Sequence, residues 1–64
     1  MTRRQIEELN GQVITEEQAE EIQLNEEVVN FESMGKSGNM RGYEWFSVDF
    51  EDGQSIDVYM RQGG

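Results

Sequence analysis

Apolar residues recur along this chain in two rhythms. Up to Asn25 they stand three apart, Ile6 with Leu9 and Ala19 with Ile22, the spacing of a narrow stripe along a helix. From Glu27 onward the interval shortens toward two. Tyr43 to Phe50 and Ser55 to Arg61 are rich in aromatic and β-branched residues and flank Glu51-Asp52-Gly53, which together signal a β-hairpin. The pattern predicts an α+β fold in which two short N-terminal helices pack on a three-stranded antiparallel β-sheet.

Both helices open on the same phrase. Thr2-Arg3-Arg4-Gln5-Ile6-Glu7-Glu8-Leu9 and Thr15-Glu16-Glu17-Gln18-Ala19-Glu20-Glu21-Ile22 share the pattern T-x-x-Q-[IA]-E-E-[LI]. Threonine followed three residues later by glutamine is a capping box, in which each side chain accepts from a backbone N–H that the helix leaves unpaired. Asn10-Gly11 ends the first helix, since either residue tolerates the left-handed backbone of a helix end. Gln12-Val13-Ile14 then reads as an extended turn or a minimal strand. Two copies are too few for a repeat architecture.

The register of the hairpin follows from its faces. A two-residue turn at Asp52-Gly53 would mix Asp57 with Phe46 and Val48. A three-residue loop, Glu51-Asp52-Gly53 with Gly53 left-handed, pairs Val48 with Ile56, Phe46 with Val58 and Glu44 with Met60. It gathers Phe46, Val48, Phe50, Ile56, Val58 and Met60 on one face and is the register expected. The reverse face then carries Trp45 opposite Tyr59 and Tyr43 opposite Arg61, an aromatic pair and a cation–π contact, among Ser47, Asp49, Ser55 and Asp57.

Glu27 to Met34 fits two descriptions. As a strand it alternates through Val29 and Phe31, which pair toward Trp45 and Tyr43 across the loop Gly35-Lys36-Ser37-Gly38-Asn39. As a helix it is capped by Asn25, turns Val28 and Phe31 inward and ends at Gly35. The order helix, short strand, helix, helix, hairpin would then resemble a winged helix-turn-helix domain, whose third helix enters the DNA major groove. Here that helix would offer Glu26, Glu27 and Glu32 and no basic residue. β-Branching and the glycine-rich loop favour the strand.

At 64 residues and 34% apolar content the chain reads as a single domain, 1–64, with a helical part (1–25), a β-meander (26–62) and a flexible tail (63–64). A chain this short buries only about 60% of the surface its unfolded state exposes, so it uses nearly every apolar side chain or completes its core as a homodimer. Neither cysteine nor histidine is present, which removes disulfides, thiolate and imidazole catalysis and the usual zinc ligands. No cofactor and no enzyme activity are expected, because paired carboxylates act as acid and base only where a cleft desolvates one of them. The basic N-terminus lacks the apolar stretch of a signal peptide, and nothing approaches a membrane-spanning length, so a cytoplasmic location is expected.

Three short motifs bear on chemistry. Gly35-Lys36-Ser37 resembles the end of a phosphate-binding loop, but the full pattern needs glycine where this chain has Asn30. Setting Gly53 on the glycine of a calcium-binding EF-hand puts Val48, Phe50 and Tyr59 at ligand positions. Gly63-Gly64, after Arg61-Gln62, resembles the diglycine end of ubiquitin-like and sulfur-carrier proteins, although their β-grasp order places the hairpin before the helix.

Charge is the strongest functional clue. Fourteen acidic residues against five basic give a net charge of -9, and seven of the acids lie between Thr15 and Glu32 with no basic residue among them. Ten of the fourteen come as doublets: Glu7-Glu8, Glu16-Glu17, Glu20-Glu21, Glu26-Glu27 and Glu51-Asp52. On a helix, Glu16 and Glu20 are like-charge neighbours about 6 Å apart along the axis, as are Glu17 and Glu21. Each pair destabilises the helix by roughly 0.2–0.5 kcal/mol. The plainest role of such charge is solubility; the functional role is recognition of a basic partner.

In size, in charge and in lacking a catalytic set, the chain resembles the small acidic inhibitors encoded by phages and mobile elements, including anti-CRISPR proteins and other DNA mimics. The resemblance implies occlusion of the arginine- and lysine-lined groove of a nucleic-acid-binding protein or ribonucleoprotein complex. Glu16, Glu17, Glu20, Glu21, Glu26 and Glu27 are the candidate charged contact, with Trp45 and Tyr59 as candidate apolar anchors. Direct contact with nucleic acid or membrane is not expected of so acidic a surface. A homodimeric accessory domain using the aromatic sheet face and a diglycine carrier are the alternatives.

Overall fold

The computed structural model describes residues 1–36, 38 and 41–61, so the diglycine tail at Gly63-Gly64 lies outside the described residues. Two helices, α1 (Arg3–Glu7) and α2 (Glu16–Leu24), precede three strands, β1 (Val28–Lys36), β2 (Tyr43–Phe50) and β3 (Ser55–Arg61). The strands form one antiparallel sheet in the order β1-β2-β3, giving the expected α+β fold with its helices first. A strand stands where a winged helix-turn-helix domain would need its third helix.

Both capping boxes form. Thr2 Oγ1 accepts from the N–H of Gln5 at 3.2 Å while Gln5 Oε1 accepts from the N–H of Thr2 at 2.9 Å. Thr15 and Gln18 repeat the exchange at 3.1 and 2.9 Å. A helix of five residues such as α1 does not persist by propensity alone; it is held by Ile6, which is fully buried. The chain turns after Glu7, so Leu9 packs from the turn and Gly11 takes the left-handed backbone at φ 79°.

The segment after that turn closes one edge of the sheet. Val13 makes a single parallel bridge to Tyr59, in which Ile14 N–H donates to the Tyr59 carbonyl at 2.7 Å and Tyr59 N–H to the Gln12 carbonyl at 3.0 Å. Gly11 N–H reaches the Asp57 carbonyl at 2.7 Å, and Asp57 N–H donates to Asn10 Oδ1 at 3.1 Å. The minimal strand thus occupies part of the free edge of β3, a row of groups that would otherwise invite another strand.

The β2–β3 hairpin has the three-residue loop and the register that its pattern predicts: Val48 faces Ile56, Phe46 faces Val58, Glu44 faces Met60 and Trp45 faces Tyr59. Gly53, at φ 89°, supplies the left-handed residue, and Gly53 N–H donates to the Phe50 carbonyl at 3.0 Å.

β1 departs from expectation. Val28 faces Phe50 but Asn30 faces Asp49, and Ser33 faces Phe46 but Gly35 faces Trp45, so β1 carries an extra residue at two places. Val29 and Phe31 therefore do not alternate together toward Trp45 and Tyr43. The first bulge lets Val28 and Phe31, three apart, both turn inward, and leaves Val29 63% exposed. Phe31 faces Val48 and stacks on Phe46 at 5.1 Å between ring centroids.

The core lies between the helices and the inner sheet face. Ile6, Ile14, Ala19, Ile22, Val48, Phe50 and Val58 are buried, and Met1, Leu9, Val28, Phe31, Phe46, Ile56 and Met60 pack around them. No polar or charged residue is buried among the described residues. Arg3 ties the N-terminus to the hairpin tip: its guanidinium lies 3.9 Å from the Phe50 ring centroid, 2.9 Å from Asp52 Oδ2 and 3.9 Å from Glu7 Oε2. This is the cation–π contact among the described residues, in place of the one expected between Arg61 and Tyr43, which are register partners only.

Candidate functional site: an acidic helix layer and an aromatic sheet face

Ala19 and Ile22 fix the orientation of α2 by burying one side of it. At 3.6 residues per turn, Glu17 and Leu24 then point directly away from the sheet, Glu20 and Glu21 flank them, and Glu16 lies nearer the margin. All four glutamates are exposed. Both ion pairs among the described residues belong to Arg3, and neither reaches α2. Leu24, 82% exposed, is an apolar knob amid these carboxylates that the sequence reading missed. Its spacing of three, four and seven from Glu21, Glu20 and Glu17 was the signal for it.

The turn after α2 extends the acidic surface. Asn25 Oδ1 accepts from Glu27 N–H at 2.8 Å and Asn25 Nδ2 donates to the Met1 carbonyl at 2.9 Å, which seats the turn against the N-terminus. Glu26 is exposed and Glu27 half-buried. Glu51 N–H donates to the Glu27 carbonyl at 2.8 Å, so the doublets Glu26-Glu27 and Glu51-Asp52 are neighbours in space. The helix layer with this turn and the hairpin tip carries all five doublets, ten carboxylates against Arg3 and Arg4, a net -8 of the chain's -9.

Asp52 is the carboxylate most firmly held. The Gln54 N–H donates to its Oδ1 at 3.0 Å and Arg3 donates to its Oδ2, and these two bonds, in that order, draw its pKa below the ordinary carboxylate range. The same bond to Asp52 raises Arg3 above its ordinary value. Arg3 therefore pairs with Asp52 at the hairpin tip and with Glu7, and with none of the α2 glutamates.

Trp45 and Tyr59 lie on the opposite face of the sheet, so the structure does not bring them onto one surface with the glutamates. They are register partners and half-buried, while the stacked ring pair of the molecule, Phe31 with Phe46, lies on the inner face. Next to Trp45 on β2 is Ser47, a small residue ringed by carboxylates: Glu32 opposite on β1, Asp57 opposite on β3 and Asp49 along the strand. Ser47 Oγ donates to Asp49 Oδ1 at 3.2 Å, and Asn30 Nδ2 lies 3.2 Å from Asp49 Oδ2 and 3.3 Å from Glu32 Oε2. Two carboxylates thus share one neutral donor. The buried Trp45 Nε1–H has no acceptor among the described residues.

No group of acidic side chains among the described residues is arranged to hold a metal ion, and no helix is long and apolar enough to cross a membrane. Comparison with protein-family models, curated proteins and solved structures finds no match to this chain.

Proposed function

We propose that the protein is a non-catalytic inhibitor that lays its helix layer in the basic groove of a nucleic-acid-binding protein or ribonucleoprotein complex, in the manner of anti-CRISPR proteins and other DNA mimics. The observation that carries this reading is the outward side of α2: Glu16, Glu17, Glu20 and Glu21 all exposed, with no cation paired to them among the described residues. Their spacing along the helix is on the few-ångström scale of backbone phosphates. Attraction between this surface and an arginine- and lysine-lined groove speeds encounter and makes binding fall with salt. Leu24 adds an apolar contact at the centre, and Glu26 and Glu27 continue the charged track toward the hairpin tip. The partner and the place of action are those of the target, a nucleic-acid machine of the cytoplasm.

The test is capture on the immobilised protein from a nucleic-acid-rich lysate at low and at high salt, with retained partners identified by mass. Basic nucleic-acid-binding proteins, retained at low salt and displaced by added nucleic acid, are expected. Retention indifferent to salt and to competing nucleic acid contradicts the reading.

A further inference from the structure

The face of the sheet turned away from the helices has no cover among the described residues, yet three of its aromatic residues, Tyr43, Trp45 and Tyr59, stand on it half-buried. At its middle, Ser47 forms a low floor. Directly opposed side chains on neighbouring strands stand about 5 Å apart, so Glu32 and Asp57 rise on either side of Ser47, with Asp49 at one end and the Trp45 ring at the other. The polar contacts of this group that the structure gives are to neutral donors, Ser47 and Asn30. Three negative charges around a small floor, closed on the fourth side by an indole, are complementary to a planar cation: a guanidinium stacks on the ring and donates to carboxylates on more than one side.

We infer that this face binds an arginine-bearing segment of a partner protein, with one arginine seated over Ser47 between Glu32, Asp49, Asp57 and Trp45. A second copy of the chain fits poorly. It would bring together two molecules of net charge -9. The face is separate from the helix layer, so the inference stands or falls independently of the proposed inhibition.

Trp45 is the chain's one tryptophan, so its emission reports on this face alone. The experiment titrates the whole protein with a short peptide of alternating arginine and glycine, and with the same peptide carrying citrulline, which keeps the shape and loses the charge. A saturable change in emission with the arginine peptide only is expected. Replacing Glu32→Gln, Asp49→Asn and Asp57→Asn together weakens that binding by about tenfold or more, whereas Glu16→Gln, Glu17→Gln, Glu20→Gln and Glu21→Gln together change it less than about twofold. Circular dichroism confirms that both variants are folded. No emission change, an equal change with citrulline, or greater loss in the helix variant overturns the inference. So does sedimentation showing a dimer that Trp45→Ala separates, since the face would then be covered by a second copy.

Discussion

The helix layer and the open sheet face are both acidic, yet they are built differently. On α2 the carboxylates sit at the ends of exposed glutamate side chains, with the exposed Leu24 among them on the outward side. On the sheet, Asp49 is a short-stemmed carboxylate held by Ser47 and Asn30 and placed two residues from an indole. Long, free side chains make a diffuse field that acts over about a Debye length, some 8–10 Å at ordinary salt, and that field governs how fast a basic partner arrives. Short, fixed ones set the geometry of contact once it has arrived. Charge count alone would treat the two surfaces as one; the neighbours of their carboxylates separate them.

The strongest way to break this contrast is to remove what the two faces share. Ile22 is fully buried between α2 and the sheet, and Ile22→Ala should destabilise the domain by about 2–5 kcal/mol. That is comparable with the whole stability of so small a domain. Thermal unfolding followed both by helical circular dichroism and by Trp45 emission should show the two signals lost together at a much lower midpoint. Loss of helix with the Trp45 signal unchanged would mean that the sheet stands without its helix layer.

A smaller change of opposite sign sharpens the contrast. Glu21→Gln removes one like-charge pair on α2 while keeping Glu17 in the first turn, where its charge suits the helix N-terminus, and should stabilise the protein by roughly 0.2–0.5 kcal/mol at low salt. The gain should fade as added salt screens the repulsion. A gain that persists in high salt would point to a cause other than charge.

The smallest effect lies at the hairpin tip. Because Asp52 has a depressed pKa in the folded protein, its bonds to Gln54 and Arg3 contribute stability above the ordinary carboxylate range, and that contribution is lost as pH falls through the lowered value. Asp52→Asn should therefore be the less stable protein at neutral pH and match the parent in strong acid. Urea unfolding at a series of pH values measures this, and a difference that grows toward acid would reverse the assignment.

What could be read from the chain before the structure follows from how local each signal is. The capping boxes and the Glu51-Asp52-Gly53 loop act within a few residues, and both formed as expected. The exposure of the α2 glutamates followed from helical periodicity and the two buried residues beside them. β1 was less legible because a bulge has no side-chain signature: Val28 and Val29 are chemically identical, and only pairing with β2 decides which turns inward. The two descriptions of this segment conflicted because a bulged strand places residues three apart on one face, as a helix does. Arg3 on Phe50 and Asp52, and Gly11 to Ile14 on β3, join parts of the chain more than forty residues apart and left no local trace. The aromatic pair was visible as register; the ring of carboxylates around Ser47 needed Glu32, and hence the register of β1.

The central claim is that the outward glutamates of α2 are the contact for a basic groove, and one binding measurement addresses it directly. The partner retained in the capture experiment is titrated, by calorimetry at low salt, with the parent protein and with the folded variant carrying Glu16→Lys, Glu17→Lys, Glu20→Lys and Glu21→Lys. Weakening by about a hundredfold or more is expected, about 2.7 kcal/mol in binding free energy. An affinity unchanged by reversing all four charges would contradict the claim.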